Sequence, residues 1–408
     1  MTANPGDERP GVVELGRVLA AQGHLSRDWE PSFRAVPRAG FLPELMWPFD
    51  METQRSVPVL RSADPEAWLR YADSDVPVVT QWDDGKHSGT SPGRVATSSA
   101  SMPSVVLRML QDLAVEPGSR VLEIGTGTGW NAGLLAHRLG AGKVFSVEVD
   151  GAVAHRARAA LKDAELPVTV VHGDGYLGLP EQAPFHRITA TAGLRQIPVA
   201  WLRQCTAGAI VVAPWGTHYS NRDALLRLVV ESGEYASGHF GAPVEFMKLR
   251  GQRMPEVVHR DYLTGPVTDG DESGSELTEE EFVGKQGSRW STLQFALGLK
   301  VPDCFQSVEP RARDSRVVRL YELGEGRSWA CAQFRDGRRT RVWQDGPRRL
   351  WDEVETAYRW WIDRGEPDHT RFGLTVTTEG QFAWLDTPDS LLAAPARVTA
   401  RRAGGPRV

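Results

Sequence analysis

Cysteine is scarce in this sequence of 408 residues: Cys205, Cys304 and Cys331 are odd in number and far apart. That spacing fits neither a disulfide framework nor paired CxxC metal ligands, so they read as reduced core thiols. There is also no run of about 18 apolar residues, the length a membrane-spanning helix needs. The opening stretch MTANPGDERPGVVELG carries acids where a secretory signal needs an apolar core, and a cytoplasmic location is expected. No dense Lys/Arg block occurs, and 47 basic against 52 acidic residues give a net charge of −5. The positive field that nucleic acid or anionic membrane demands is therefore missing, and neither is an expected partner. None of the ten histidines sits at metal-ligand or Ser/His/Asp spacing, so no metal is expected.

What is present describes a folded chain. Apolar residues make up 41% and charged residues 24%, with 14 tryptophans, which excludes a disordered composition. Residues from Pro103 to Leu113 place Val106, Leu110 and Leu113 at helical spacing behind a proline suited to the first turn. Glu116-Pro-Gly118 then turns the chain into the apolar run Val121 to Ile124. A Gly-rich turn follows, then a helix over 131–139, a strand over 144–149, a helix over 152–161 and a strand over 168–172. Further strands are expected at 187–190 and 210–213. Strands alternating with crossover helices predict a doubly wound, mainly parallel α/β sheet.

Residues 264–281, TGPVTDGDESGSELTEEE, are acidic and almost free of large apolar side chains, the composition of a linker. They end in Thr278-Glu-Glu-Glu281, a capping box that announces a helix. Beyond it the pattern becomes α+β. Strands are expected at 317–321, 329–334 and 340–343, an amphipathic helix at 350–364, and a closing hairpin at 372–377 and 381–385. Trp351, Tyr358, Trp360 and Trp361 fall at helical spacing, a core stripe or a peptide-binding face.

The chemistry concentrates at Gly125-Thr126-Gly127-Thr128-Gly129, between a strand and a helix. Amides at that helix start are free, and glycines let a ligand approach the backbone. A dinucleotide fingerprint needs GxGxxG and a P-loop needs Gly-Lys-Ser/Thr; neither is present. The GxGxG form with Glu123 before it suits S-adenosylmethionine, although a tight strand-to-helix turn needs the same glycines. Glu148, at the end of the second strand, is placed to accept two ribose hydroxyls, and Asp174-Gly175, at the end of the third, to meet the adenine amino group.

The segments Ser101-Met-Pro-Ser-Val-Val-Leu-Arg-Met109, VLEIGTGTGW (121–130), VFSVE (144–148), GDG (173–175), the run Pro184-Phe185…Ile188…Ala192…Pro198, and PVEFMKL (243–249) together resemble the protein L-isoaspartate O-methyltransferase family. The resemblance covers roughly residues 70–250. It implies a Rossmann-like S-adenosylmethionine-dependent methyltransferase domain in which Ser101 contacts the substrate carboxyl group and Thr191 and Ala192 border the substrate. The chain departs from the family at Ser99-Ala-Ser101, where Thr-Ile-Ser is usual, and at His186-Arg187, where an aspartate is usual before the fourth strand. Ser98, Ser99 and Ser104 read as loop or cap hydroxyls, His137 and His172 as structural, and a serine two residues before Pro103 also suits a helix cap.

About 160 residues after residue 250, and about 70 at the start of the chain, lie outside the resemblance. Extended family members that accompany lanthipeptides and ATP-grasp-crosslinked peptides are similar in plan. They imply methylation of an aspartate in a ribosomally made, constrained precursor peptide, followed by collapse to a succinimide and onward to isoaspartate. Repair of isoaspartate in damaged proteins and a non-catalytic S-adenosylmethionine-binding partner of a maturation enzyme are the alternatives. The expected division is an N-terminal extension and substrate-side segment (1–95), the methyltransferase domain (96–255), a linker (256–277), a C-terminal α+β domain (278–395) and a tail (396–408).

Overall fold

The computed structural model describes residues 9–50, 53–263, 265–284 and 291–392; the expected tail and the first eight residues of the extension lie outside them. Helices α1 (Pro10–Ala21) and α2 (Glu30–Ala35) open the chain. A small sheet follows, of β1 (Leu45–Asp50), β2 (Arg55–Ser56), β3 (Val59–Leu60), β4 (Val78–Trp82) and β5 (Ala96–Ala100), with α3 (Pro65–Ala72) between β3 and β4. Val12, Leu15, Leu19 and Phe33 on the first two helices share an apolar cluster with the helices of the next unit. The extension is therefore packed onto the methyltransferase-like unit.

That unit runs α4 (Pro103–Leu113), β6 (Val121–Ile124), α5 (Trp130–Leu139), β7 (Val144–Glu148), α6 (Gly151–Asp163), β8 (Val168–His172), β9 (Phe185–Ala190), α7 (Val199–Leu202), β10 (Cys205–Trp215), β11 (Asp223–Ser232) and β12 (Tyr235–Val244). The expected helices and strands fall within five residues of these limits, three of them without offset. β6 is buried along its whole length, as a strand with helices on both faces must be. It pairs in parallel with both β7 and β9, so the chain reverses direction across the sheet beside β6. A crevice at the carboxyl ends of β6 and β7 follows from that switch.

The C-terminal residues correct the sequence-based division in two places. The acidic stretch expected as a linker contains β13 (Asp271–Ser275), an edge strand paired antiparallel with β17. Its side chains are almost all exposed, so it has no apolar alternation to announce it. After α8 (Glu279–Val283), capped by Thr278 and Glu281 as expected, come α9 (Thr292–Lys300), β14 (Cys304–Val308), β15 (Ser315–Glu322), β16 (Trp329–Arg335), β17 (Thr340–Asp345) and α10 (Leu350–Asp363). These strands form a five-stranded sheet in the order β13-β17-β16-β15-β14.

The expected closing hairpin, β18 (Phe372–Thr377) and β19 (Gln381–Leu385), belongs to another sheet. β18 pairs antiparallel with β12, making the central sheet nine strands in the order β19-β18-β12-β11-β10-β9-β6-β7-β8. One apolar cluster runs from Leu122 through Phe240 and Phe295 to Trp351 and Leu385, so the two units share a core. Trp351 and Trp361 are buried in it, with Tyr358 and Trp360 packed against it. The three cysteines are free, and burial raises their thiols to about 12, 12 and 11 for Cys205, Cys304 and Cys331.

Candidate active site

The crevice beside β6 is an open cleft of about 890 Å³. Its floor is the turn between β6 and α5, where Gly125, Gly127 and Gly129 have φ of 92°, 54° and 92°, a region costly for other residues. A Cβ on Gly127 would stand 3.3 Å from the Ser99 carbonyl, so this glycine also keeps the turn clear of β5. Thr191 fastens the turn, its hydroxyl donating to the Gly125 carbonyl. Ala192 and Gly175 line the cleft beside it.

Glu148 closes β7 and faces the cleft with its side chain nearly buried. Its two oxygens accept the amides of Gly127, at 2.9 Å, and Asp150, at 3.0 Å. Two backbone donors leave further lone pairs, so the carboxylate can still receive hydroxyls from the cleft.

Glu123 occupies a different position. It is fully buried and absent from the lining, beneath the turn. Asn131 Nδ2 donates to one oxygen at 2.7 Å and Ser146 Oγ to the other at 2.5 Å, while Thr126 and Ser146 hydroxyls meet at 2.6 Å. Burial raises the Glu123 carboxyl to about 7, Ser146 and Asn131 pull it down, and repulsion from Glu148 adds to the rise. Thr126 is likewise buried but borders the cleft. Asp174 is exposed, absent from the lining, and accepts the Tyr176 amide at 3.0 Å as the cap of a short 3-10 turn. Of the acids expected to face a ligand, Glu148 alone does so; Glu123 braces the turn and Asp174 stands outside.

Ser101 lines the opposite wall. The residue before helix α4 is Met102 and makes no side-chain capping bond, so Ser101 stands outside the cap position and its hydroxyl is not spent on the helix. The N-terminal extension holds it in place. Buried Arg38 donates to the carbonyls of Ala100 and Val76, each at 2.9 Å, and Asp75 accepts the Ser104 amide at 2.8 Å. Ser98 takes a bond from Thr80 at 3.2 Å, and His137 pairs with Ser32 at 3.0 Å, both structural contacts. His186 and Arg187 serve the fold as well: His186 Nδ1 accepts the Arg120 amide at 2.9 Å, and Arg187 grips the Ala114 carbonyl at the end of α4.

The roof comes from residues the sequence did not mark. Arg253 donates to both oxygens of Asp84 at 3.0 Å, and Arg250 lies 3.0 Å from Asp84 and 3.3 Å from Asp150. Gln81 also reaches Asp150 at 3.3 Å. These contacts fasten the β4–β5 hairpin across the cleft to residues 250–253, just beyond the PVEFMKL run that was the one available signal. Lys248, on the lining, is bound to buried Asp223.

Cleft, turn and strand-end acid match the demands of a nucleoside carrying an amino acid. A family described as protein-L-isoaspartate(D-aspartate) O-methyltransferase matches residues 71–253. A protein-L-isoaspartate O-methyltransferase 2 of Anaeromyxobacter sp. is 33% identical over 251 residues, covering 61% of this chain and 85% of that relative. The chain belongs to the protein-L-isoaspartate O-methyltransferase family. Another member, from Opitutus terrae, is 33% identical over 60% of this chain and 88% of its own length. A solved structure named protein-L-isoaspartate O-methyltransferase superposes on 92% of this chain and 100% of its own, with a TM-score of 0.51 and 22% identity, a likeness of fold. Members of the family are methyltransferases that use S-adenosylmethionine, and this chain is such an enzyme. Among the described residues no helix is long and apolar enough to cross a membrane.

Proposed function

We propose that the enzyme methylates an aspartyl side-chain carboxylate in a ribosomally made, constrained precursor peptide, with succinimide and then isoaspartate as the downstream products. The observation that carries carboxyl transfer is the meeting of Ser101, Glu148 and the Gly125–Gly129 turn in one cleft. S-adenosylmethionine bound there supplies a methyl group on a sulfonium centre. Glu148 would take the ribose hydroxyls, Gly125, Thr126 and Gly127 would form the bed for the amino-acid end, and Gly175 would lie by the adenine, while Gly129 turns to α6 and Asp174 stays outside the cleft. Glu123 acts from below, holding Thr126 through Ser146.

Ser101 donates to one oxygen of the acceptor carboxylate and leaves the other to attack, with Thr191 and Ala192 beside it. No general base is needed, because an aspartate with a pKa of about 3.9 is already ionised at neutral pH. What the protein contributes is alignment and exclusion of water, the work of Ser101 on one side and the Arg250–Asp84 roof on the other.

Support for a peptide larger than one residue comes from the α+β unit, which a cofactor and a carboxylate do not require. Repair of isoaspartyl proteins is the second reading, and one finding favours it. A structure bearing the isoaspartate methyltransferase name superposes on 92% of this chain, so extra length by itself does not single out peptide tailoring. Mass spectrometry of methyl transfer to a cyclised Asp-containing precursor and to linear isoaspartyl peptides separates the two. Turnover of the precursor alone supports tailoring, and turnover of isoaspartyl peptides alone overturns it.

A further inference from the structure

A second depression, about 1430 Å³, lies where the two units meet. Arg195, His218 and Arg222 line it from the methyltransferase unit, and Gln294, Phe305 and Val308 from the α+β unit. It adjoins the cleft. Arg253 lines the cleft and the next residue, Met254, lines the groove; Ala192 lines the cleft and Arg195 the groove. A peptide seated in the cleft would therefore meet the groove across this shared boundary.

The groove has unfilled bonding capacity and excess positive charge. The Arg195 side chain is 9% exposed and its Nε has no partner; Gln294 is 8% exposed and its Oε1 has none either. Buried polar groups of this kind are ordinarily satisfied. Between cleft and groove, fully buried Asp223 is shared by Lys248 on the cleft side and Arg195 on the groove side, two cations to one anion. Adding the rim pairs Arg222–Glu245 at 3.7 Å and Arg316–Glu279 at 3.3 Å still leaves four cations to three anions, with Glu245 also acting on Lys248 and Asp223. One wall is the outer edge of β14, where the Gln306 amide is taken by the Tyr219 carbonyl at 2.9 Å and Val308 is 40% exposed.

Building on the carboxyl-transfer function proposed above, we infer that this groove binds an extended segment of the substrate peptide flanking the acceptor residue and receives an acidic side chain of that segment at Arg195. The acid supplies the missing counter-charge, and the segment passes over exposed Val308 at the end of β14, beyond the Gln306 amide that Tyr219 takes. Selection of one carboxylate among many follows from the acid beside it.

Fluorescein-labelled twelve-residue peptides with one central isoaspartate, flanked on one side by three Glu, three Gln or three Lys, provide the probe. Anisotropy titration on the full chain with S-adenosylhomocysteine present should give the Glu peptide roughly ten-fold tighter binding than the Gln peptide. That advantage should shrink several-fold in 0.5 M salt and fall below two-fold in Arg222→Glu and Arg195→Gln. Arg222 is a surface residue, so its variant carries the test if Arg195→Gln misfolds. Equal affinities for the three peptides, or an advantage that survives Arg222→Glu, would overturn the inference. Binding is read apart from turnover: a Glu preference with no methylation of these peptides or of the cyclised Asp-containing precursor removes the proposed carboxyl-transfer function and leaves the groove, while methylation indifferent to the flank does the reverse.

Discussion

Replacing Glu123 with Gln tests whether a carboxyl is held under the glycine turn at an energetic cost. The side chain is fully buried and its pKa is raised from 4.5 to about 7. Between those values the folded protein binds more protons at this site than the unfolded chain, so stability falls as pH rises through the window. The contribution is undiminished below about pH 4.5 and reaches its full penalty above about pH 7, roughly 3 kcal/mol at ~1.4 kcal/mol per unit. Between pH 5 and pH 8 it amounts to about 2–3 kcal/mol. Gln keeps an acceptor for Asn131 and a polar end for Ser146 but does not titrate. Urea unfolding of both proteins at the two pH values yields a double difference in which other titrating groups cancel. Wild-type stability relative to Glu123→Gln should drop by about 2–3 kcal/mol from pH 5 to pH 8. A double difference below ~0.5 kcal/mol would refute the buried-acid account.

Glu148→Ala removes the proposed ribose acceptor and strands the Gly127 and Asp150 amides, so calorimetric affinity for S-adenosylmethionine should fall by about 2–3 kcal/mol; unchanged affinity excludes the role. Ser101→Ala should leave that affinity intact while lowering kcat at least ten-fold, and a wild-type rate returns the residue to a loop hydroxyl. Gly127→Val meets both a left-handed φ and the Ser99 carbonyl, and should abolish cofactor binding in a protein whose circular dichroism shows it still folded. A chain ended at Thr264 loses β18 and β19 from the central sheet and half of the shared core, so it should be recovered insoluble; a soluble truncated enzyme that still binds S-adenosylmethionine would show that the methyltransferase unit stands alone.

Most of the central sheet could be read in the sequence because its periodicity is local. Helix α4 announces itself through Val106, Leu110 and Leu113, and the hairpin of β18 and β19 through its own residues. Its partner could not be read, since the β12–β18 ladder joins segments more than a hundred residues apart and no local pattern encodes it. β13, with side chains Asp271, Glu272 and Ser273 facing water, carries the composition of a loop and becomes a strand only because β17 offers it an edge. The site divides the same way. Gly125, Gly127, Gly129 and Glu148 lie on one strand-turn-helix stretch and its neighbouring strand, where motif spacing applies. Asp84, Arg250 and Arg253 meet through tertiary packing, and an isolated Asp-Gly or Arg-Gly gives no sign of the other. Glu123 was visible as an acid before a glycine turn, yet only its burial under Thr126 and Ser146 separates a brace from a ligand contact.

The ladder between β12 and β18 also sets an order of events during synthesis. Everything from β13 to α10 emerges after β12 and before the strand that covers β12's free edge, so residues 235–239 wait for residues 373–377. Until then the edge is open to any other strand, and the apolar surface shared with Phe295 and Trp351 is bare. The second unit is thus threaded through the first as an excursion that must leave and return. Its failure to fold exposes the catalytic sheet, so a change in the second unit is also a change in the folding of the whole enzyme.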